Sequence, residues 1–113
     1  MIAEIVSLSA YESQVSAVLS EEERMAMEFF IAGAPDDHPV IPGSGGFRKA
    51  RWARRGMGKS GGFRVIYFFL AEPGRIYMAA IYAKSRKETL SAFDQKVLGR
   101  LAAQIKKAAR GGR

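Results

Sequence analysis

Residues 62–83 read GFRVIYFFLAEPGRIYMAAIYA, two runs of Val, Ile, Tyr and Phe on either side of Glu72-Pro73-Gly74. Side chains of these types suit the pleated surface of a strand, and the Pro-Gly pair supplies a fixed φ followed by a residue that tolerates positive φ. The stretch predicts a hairpin of two antiparallel strands. Just upstream, FRKARWA (47–53) reads as another strand, so the middle of the chain is a meander. Downstream, Leu90, Phe93, Val97, Leu98, Leu101 and Ile105 recur at spacings of three, four and seven, an apolar stripe on one helix running to about Ala109.

Towards the N-terminus, IAEIVSL (2–8) is short, apolar and β-branched, a first strand. Three Ser-x-x-acid boxes mark helix starts, Ser9 with Glu12, Ser20 with Glu23 and Ser91 with Asp94, each after a leucine (Leu8, Leu19, Leu90). Two helices follow, at about 10–17 and 21–32, the second ended by Gly33 as a left-handed stop and by Pro35. Ala34–Gly46 is a loop. The resulting order, β-α-α-β-β-β-α, predicts an α+β fold, with two N-terminal helices and a C-terminal helix packed on a mostly antiparallel twisted sheet. The helices are expected on one side, leaving the other for function.

Length and composition narrow the chemistry. At 113 residues the chain holds one core, a single domain over 1–113. With 48% hydrophobic and 26% charged residues it should fold as a soluble globular protein. Without cysteine there are no disulfides or thiolate metal sites. The single histidine, His38, argues against His-rich zinc sites and a Ser-His-Asp triad, so no cofactor is expected. No basic region precedes an apolar run at the start, and no stretch approaches the ~20 apolar residues of a membrane helix, so a cytoplasmic location without membrane association is expected.

The charge is unevenly spread. Residues 1–40 carry eight acids and one base, whereas residues 41–113 carry 17 bases and three acids. Between Arg48 and Arg64 stand seven bases and no acid (Arg48, Lys49, Arg51, Arg54, Arg55, Lys59, Arg64), which points to a polyanionic partner. Within this run GMGKSGG (56–62) contains the Gly-Lys-Ser end of a phosphate-binding loop, but the full pattern requires glycine where Ala53 stands. Strand-like sequence also lies on both sides, with no helix to receive a phosphate. A basic glycine-rich turn is the better reading.

Alternation along β-structure places Lys49 and Arg51 on one face, with Ala50 and Trp52 opposite. Arg64 is conspicuous among apolar neighbours, where a charge is costly unless it lines a wet groove or meets an anion; the alternatives are an arginine on an edge strand or a salt bridge to an N-terminal acid. Tyr82, Lys84, Arg86 and Lys87 form an aromatic and basic group where the last strand ends, the combination that grips unstacked single-stranded RNA. His38 is expected outside this cluster in a structural role, and Trp52, Phe68 and Phe69 in the core.

Taken together, GFRKARW (46–52), GKSGGFRVIY (58–67), RIYM (75–78) and IYAKSRKETLS (81–91) resemble the RelE/ParE toxin superfamily, specifically its HigB-like branch. The resemblance covers about residues 45–98. It implies a RelE-like fold and the toxin half of a type II toxin-antitoxin system, a ribosome-dependent endoribonuclease cutting messenger RNA in the ribosomal A site. Its partners would be the ribosome, the message and a cognate antitoxin, a helix-turn-helix, HigA-like protein. The family's paired basic residues correspond to Lys49 and Arg51, its strand arginine to Arg64, and its later basic residue to Lys87, with Lys84 close by; this set would be catalytic. Arg48, Arg54, Lys59, Tyr82 and Arg86 would contact RNA. Where some members place a tyrosine soon after the last basic residue, this chain has Ser91, so the proton-transfer roles are open. Two alternatives share these features: a ParE-like inhibitor of DNA gyrase, and a non-catalytic RNA- or ribosome-binding module.

Overall fold

The computed structural model describes residues 3–53, 62–84 and 92–111. Its elements are β1 (Glu4–Ser7), α1 (Ser9–Val18), α2 (Glu21–Gly33), β2 (Phe47–Trp52), β3 (Phe63–Leu70), β4 (Arg75–Ala83) and α3 (Ala92–Gly111), the order expected. The sheet runs β1-β4-β3-β2, with β1 parallel to β4 and the other neighbours antiparallel. The hairpin between β3 and β4 turns through a cis Glu72–Pro73 bond and Gly74 at φ +100°, and Gly74 N–H donates to the Leu70 carbonyl. Among the described residues no helix is long and apolar enough to cross a membrane.

The helices lie on both faces of the sheet, not on one. Alternation along β3 divides its side chains between two cores. Phe63, Val65 and Tyr67 pack with Tyr11, Val15, Met27 and Ile31 of α1 and α2. Ile66 and Phe68 pack with Ala102 and Ile105 of α3 on the opposite side. A strand buried on both faces reads as a continuous apolar run, which is why β3 is so hydrophobic. The function is therefore not offered a bare face. It is offered the part of the α3 face that α3 fails to cover.

Two local features shape that part. In β4, Ile66 pairs with Ala80 and Tyr67 with Met78, so Ala79 is an extra residue, a bulge. Beyond it the alternation is inverted, and Tyr82 joins the α3 face instead of following Met78 into the other core. The second feature is the loop before β2, which returns along the sheet edge. Val40 bridges to Arg48, Ile41 N–H donates to the Phe47 carbonyl and Lys49 N–H to the Pro39 carbonyl. Gly43, Gly45 and Gly46 make the reversal at φ +74°, +77° and +120°, conformations that L side chains rarely adopt. Gly45 is also where α3 docks, since a Cβ there would lie 2.9 Å from that of Ala102.

The capping predictions divide. Ser20 caps α2, accepting from Glu23 N–H at 3.1 Å. Ser9 does not cap α1: the cap is Leu8, with no side-chain bond, and Ser9 is the first helical residue. Ser91 and Leu90 lie outside the described residues. Gly33 is the last residue of α2 and has no positive φ, so the helix stops at Ala34 ahead of Pro35. Val97, expected within the apolar stripe, is 42% exposed.

Candidate functional site

The site begins with a row across the sheet. Arg51 of β2, Arg64 of β3 and Tyr82 of β4 are successive cross-strand partners. Lys49, two residues before Arg51, shares its face and pairs with Ile66. Arg64 is 7% exposed, and among the described residues it has no salt bridge or hydrogen bond from its side chain. Three of the N-terminal acids are engaged elsewhere. Glu12 takes both ends of a bidentate contact from Arg24 (2.7 and 2.8 Å), Glu28 accepts from Arg24 (3.0 Å) and from the Tyr11 hydroxyl (2.6 Å), and Glu4 meets Arg75 (3.2 Å). The salt-bridge reading of Arg64 is thereby set aside, and so is the edge-strand reading, since β3 lies between β4 and β2.

A buried cation without an acid is unfavourable by several kcal/mol (~) unless an anion arrives. Directly opposing like charges, as at Arg51 and Arg64, add to this. Such an arrangement costs stability, and buried cations that share a cleft are candidates for binding an anion.

Lys49, Arg51 and Arg64 line one cavity of about 370 Å³ at the β2 edge of the sheet, together with Phe30, His38 and Pro39. His38 was expected outside this cluster, and the structure puts it inside. The cause is the return of the loop along β2, which carries His38 to the level of Ala50. The run Val40-Ile41, the glycine-rich turn 42–46 and Phe47-Arg48 together form a hairpin signal in the sequence that could have located it.

Arg48 has a different occupation from its neighbours. Its Nη1 donates to the carbonyls of His38 (2.7 Å) and Asp36 (3.1 Å), so it pins the loop that carries His38. Tyr67 adds a second tie, its hydroxyl donating to the Pro35 carbonyl at 2.6 Å. Burial, with Asp36 and Asp37 nearby, pushes the Tyr67 phenol up to about 12 despite Arg48, which keeps it a donor. Trp52 and Phe68 pack as expected, Trp52 at the border of the first core and Phe68 within the second; Phe69 is partly buried in the first.

Lys84 lies just past β4 and its N–H donates to the Gly62 carbonyl, tying it beside the start of β3, the end of the sheet where Arg64 stands. Arg54, Lys59, Arg86 and Lys87 lie outside the described residues. A larger groove, of about 610 Å³, runs between α3 and the sheet, but its walls are mainly apolar (Leu8, Ile66, Leu98, Leu101) and its charged group is Asp94, the wrong sign for an anion.

The architecture so defined is an α+β sheet with helices on both faces and a cationic cavity at one edge, a RelE-like fold. Among solved structures the chain is similar to a mutant of the Escherichia coli toxin RelE in its free state. The TM-score is 0.58 at 13% identity, covering 86% of this chain and 96% of that one. No family model matches the chain.

Proposed function

We propose that the protein is the toxin of a type II toxin-antitoxin system, a RelE-type, HigB-like endoribonuclease that acts on messenger RNA in the ribosomal A site. The observation that carries this reading is Arg64, buried beside Lys49 and Arg51 in a cavity on a RelE-like fold, with no acid partner among the described residues. Cleavage would proceed by attack of a 2′-hydroxyl on the adjacent phosphorus. The new P–O2′ bond forms as the P–O5′ bond breaks, and the proton lost from the 2′-oxygen is matched by one gained at the 5′-oxygen.

Arginine remains protonated at neutral pH, so Arg64 serves as a fixed clamp for charge developing on the phosphorane oxygens. Arg51 adds a second cation and Lys49 is the group suited to proton transfer. Lys84 and Lys87 would complete the set, with Arg54, Lys59, Tyr82 and Arg86 along the path of the RNA. Alignment of the attacking group would come from the ribosome, which holds the message still. The cytoplasm is where such a substrate is found. A HigA-like antitoxin would neutralise the protein by covering the cationic cavity, a contact favoured by opposite charge.

The test is a cell-free translation reaction in which message ends are mapped. New ends within A-site codons should appear with the wild-type protein and fall about 10²-fold or more with Arg64→Ala, the scale of losing one transition-state donor. Full inhibition of translation with intact message would reject the nuclease. Loss of gyrase supercoiling in a parallel assay would redirect the reading to a ParE-like toxin.

A further inference from the structure

The cations account for only half of the cavity. Its other wall is aromatic. Phe30, on the last turns of α2, is 45% exposed although Met27 and Ile31 beside it are fully buried. Its ring lies 5.4 Å from that of His38, tilted by 58°, and 5.6 Å from that of Trp52. His38 in turn meets the Tyr67 ring edge-on at 6.2 Å. These contacts hold the exposed ring in a chain Trp52–Phe30–His38–Tyr67.

The backbone under His38 is equally constrained, by Arg48 on the His38 and Asp36 carbonyls and by the Lys49 N–H on Pro39. A large apolar ring left exposed but fixed in position, facing a cavity with three cations, has the two halves of a nucleotide site. Rings accept the base and cations accept the phosphate. At about 370 Å³ the space is at the lower end of small-molecule sites, which run from roughly 300 to 1,000 Å³.

We propose that Phe30 and His38 form a stacking wall for one unstacked nucleobase of the RNA, whose phosphate lies on Lys49, Arg51 and Arg64. This deepens the nuclease reading and rests on it for the identity of the nucleic acid. The role of His38 here is that of a ring, not of an acid or base. The wall makes binding depend on the presence of a base, which the cations alone cannot do.

Trp52, the single tryptophan, touches Phe30 and reports on the site by its fluorescence. The probes are a 2′-O-methyl trinucleotide, which cannot be cleaved, and the same backbone with an abasic central residue. Wild-type protein should bind the abasic probe at least fivefold more weakly. Phe30→Ala should remove that discrimination. His38→Ala should weaken binding of the complete probe about fivefold, the lower end of the value of one stack, and His38→Phe should restore it. Phe30→Tyr, which keeps the ring, should retain the discrimination that Phe30→Ala loses, and the circular dichroism spectrum of each variant checks its fold.

Equal binding of the two probes by wild type, or failure of His38→Phe to restore binding, overturns the stacking wall. Message cleavage separates the two readings. If wild type cuts message but shows no base discrimination, the nuclease stands and the wall falls. If discrimination through Phe30 and His38 is seen with no cleavage, the wall stands and the nuclease falls.

Discussion

Replacing Arg64 by methionine should make the protein more stable while removing the proposed nuclease activity. The side chain is 7% exposed, lies directly opposite Arg51, and among the described residues meets no acid. Methionine has similar length, packs against Ile66 and Tyr82 of the same face, and carries no charge to desolvate. Replacing buried charges with apolar side chains of similar volume is often neutral or stabilising by about 1–4 kcal/mol. Relief of the cross-strand repulsion adds about 0.2–1 kcal/mol. A net gain of about 1–3 kcal/mol would raise the melting temperature by roughly 4–12 °C in a domain of this size. Thermal unfolding followed by circular dichroism, at low salt so that no anion occupies the cavity, measures it. Arg51→Met is the comparison: Arg51 is exposed, so it pays little desolvation and its replacement should shift the transition by less. If Arg64→Met melts at or below the wild-type temperature, the guanidinium is satisfied within the fold, and the cavity is not a site waiting for an anion.

Gly45→Ala should destabilise by about 2–4 kcal/mol, because its φ of +77° is strained for an L residue and the new Cβ would press on Ala102 at 2.9 Å; urea unfolding reads the loss. Arg24 holds the Glu12 carboxyl below the usual carboxylate range, through hydrogen bonds first. The stability this linkage supplies is present above the unfolded value of about 4.5 and lost as pH falls through the lower folded value, so Arg24→Gln should flatten the acid limb of a stability–pH curve. Tyr67 works in the opposite sense: with its phenol raised to about 12, its contribution is complete below pH 10 and lost as the pH rises towards 12, and Tyr67→Phe should flatten the alkaline limb. Arg48→Ala should leave the fold in place but release the His38 loop, seen as faster amide exchange at residues 36–39 and as weaker RNA binding.

The order of elements was legible because each carries a strong local signal: continuous apolar runs for β3 and β4, a three-four stripe for α3, the Ser20 cap for α2. The two-faced sheet was legible in principle as well. A strand such as Phe63–Leu70, apolar at both parities, must be covered on both sides, and that rule conflicts with placing all helices on one face. The bulge at Ala79 was not. Nothing in RIYMAAIYA distinguishes the extra residue, and simple alternation assigns Tyr82 to the face of Met78. Within the site, Lys49 and Arg51 followed from period-two alternation and Arg64 from its apolar setting, since both are local properties. His38 and Phe30 did not, because they reach the cavity through long-range packing: one on a returning loop, the other on a helix from the far face of the sheet.

The uneven charge of the chain also acquires a physical meaning. An excess of positive charge could have been neutralised internally, as eight acids lie in residues 1–40. Instead Glu12 and Glu28 converge on Arg24 across α1 and α2, with Ser7 and the Tyr11 hydroxyl in the same network, and Glu4 is spent on Arg75 at the sheet edge. These contacts keep the acids by β1, on the opposite edge of the sheet from Lys49 and Arg51 of β2. Breaking the Arg24 network would therefore do more than weaken the helix pair. It would also remove one positive charge and leave Glu12 and Glu28 uncompensated, so under the proposed function Arg24→Gln should lower RNA affinity as well as stability, an effect that grows as salt is removed because it is electrostatic. Unchanged affinity in that variant, at low salt and in a folded protein, would confine the network to a scaffolding role.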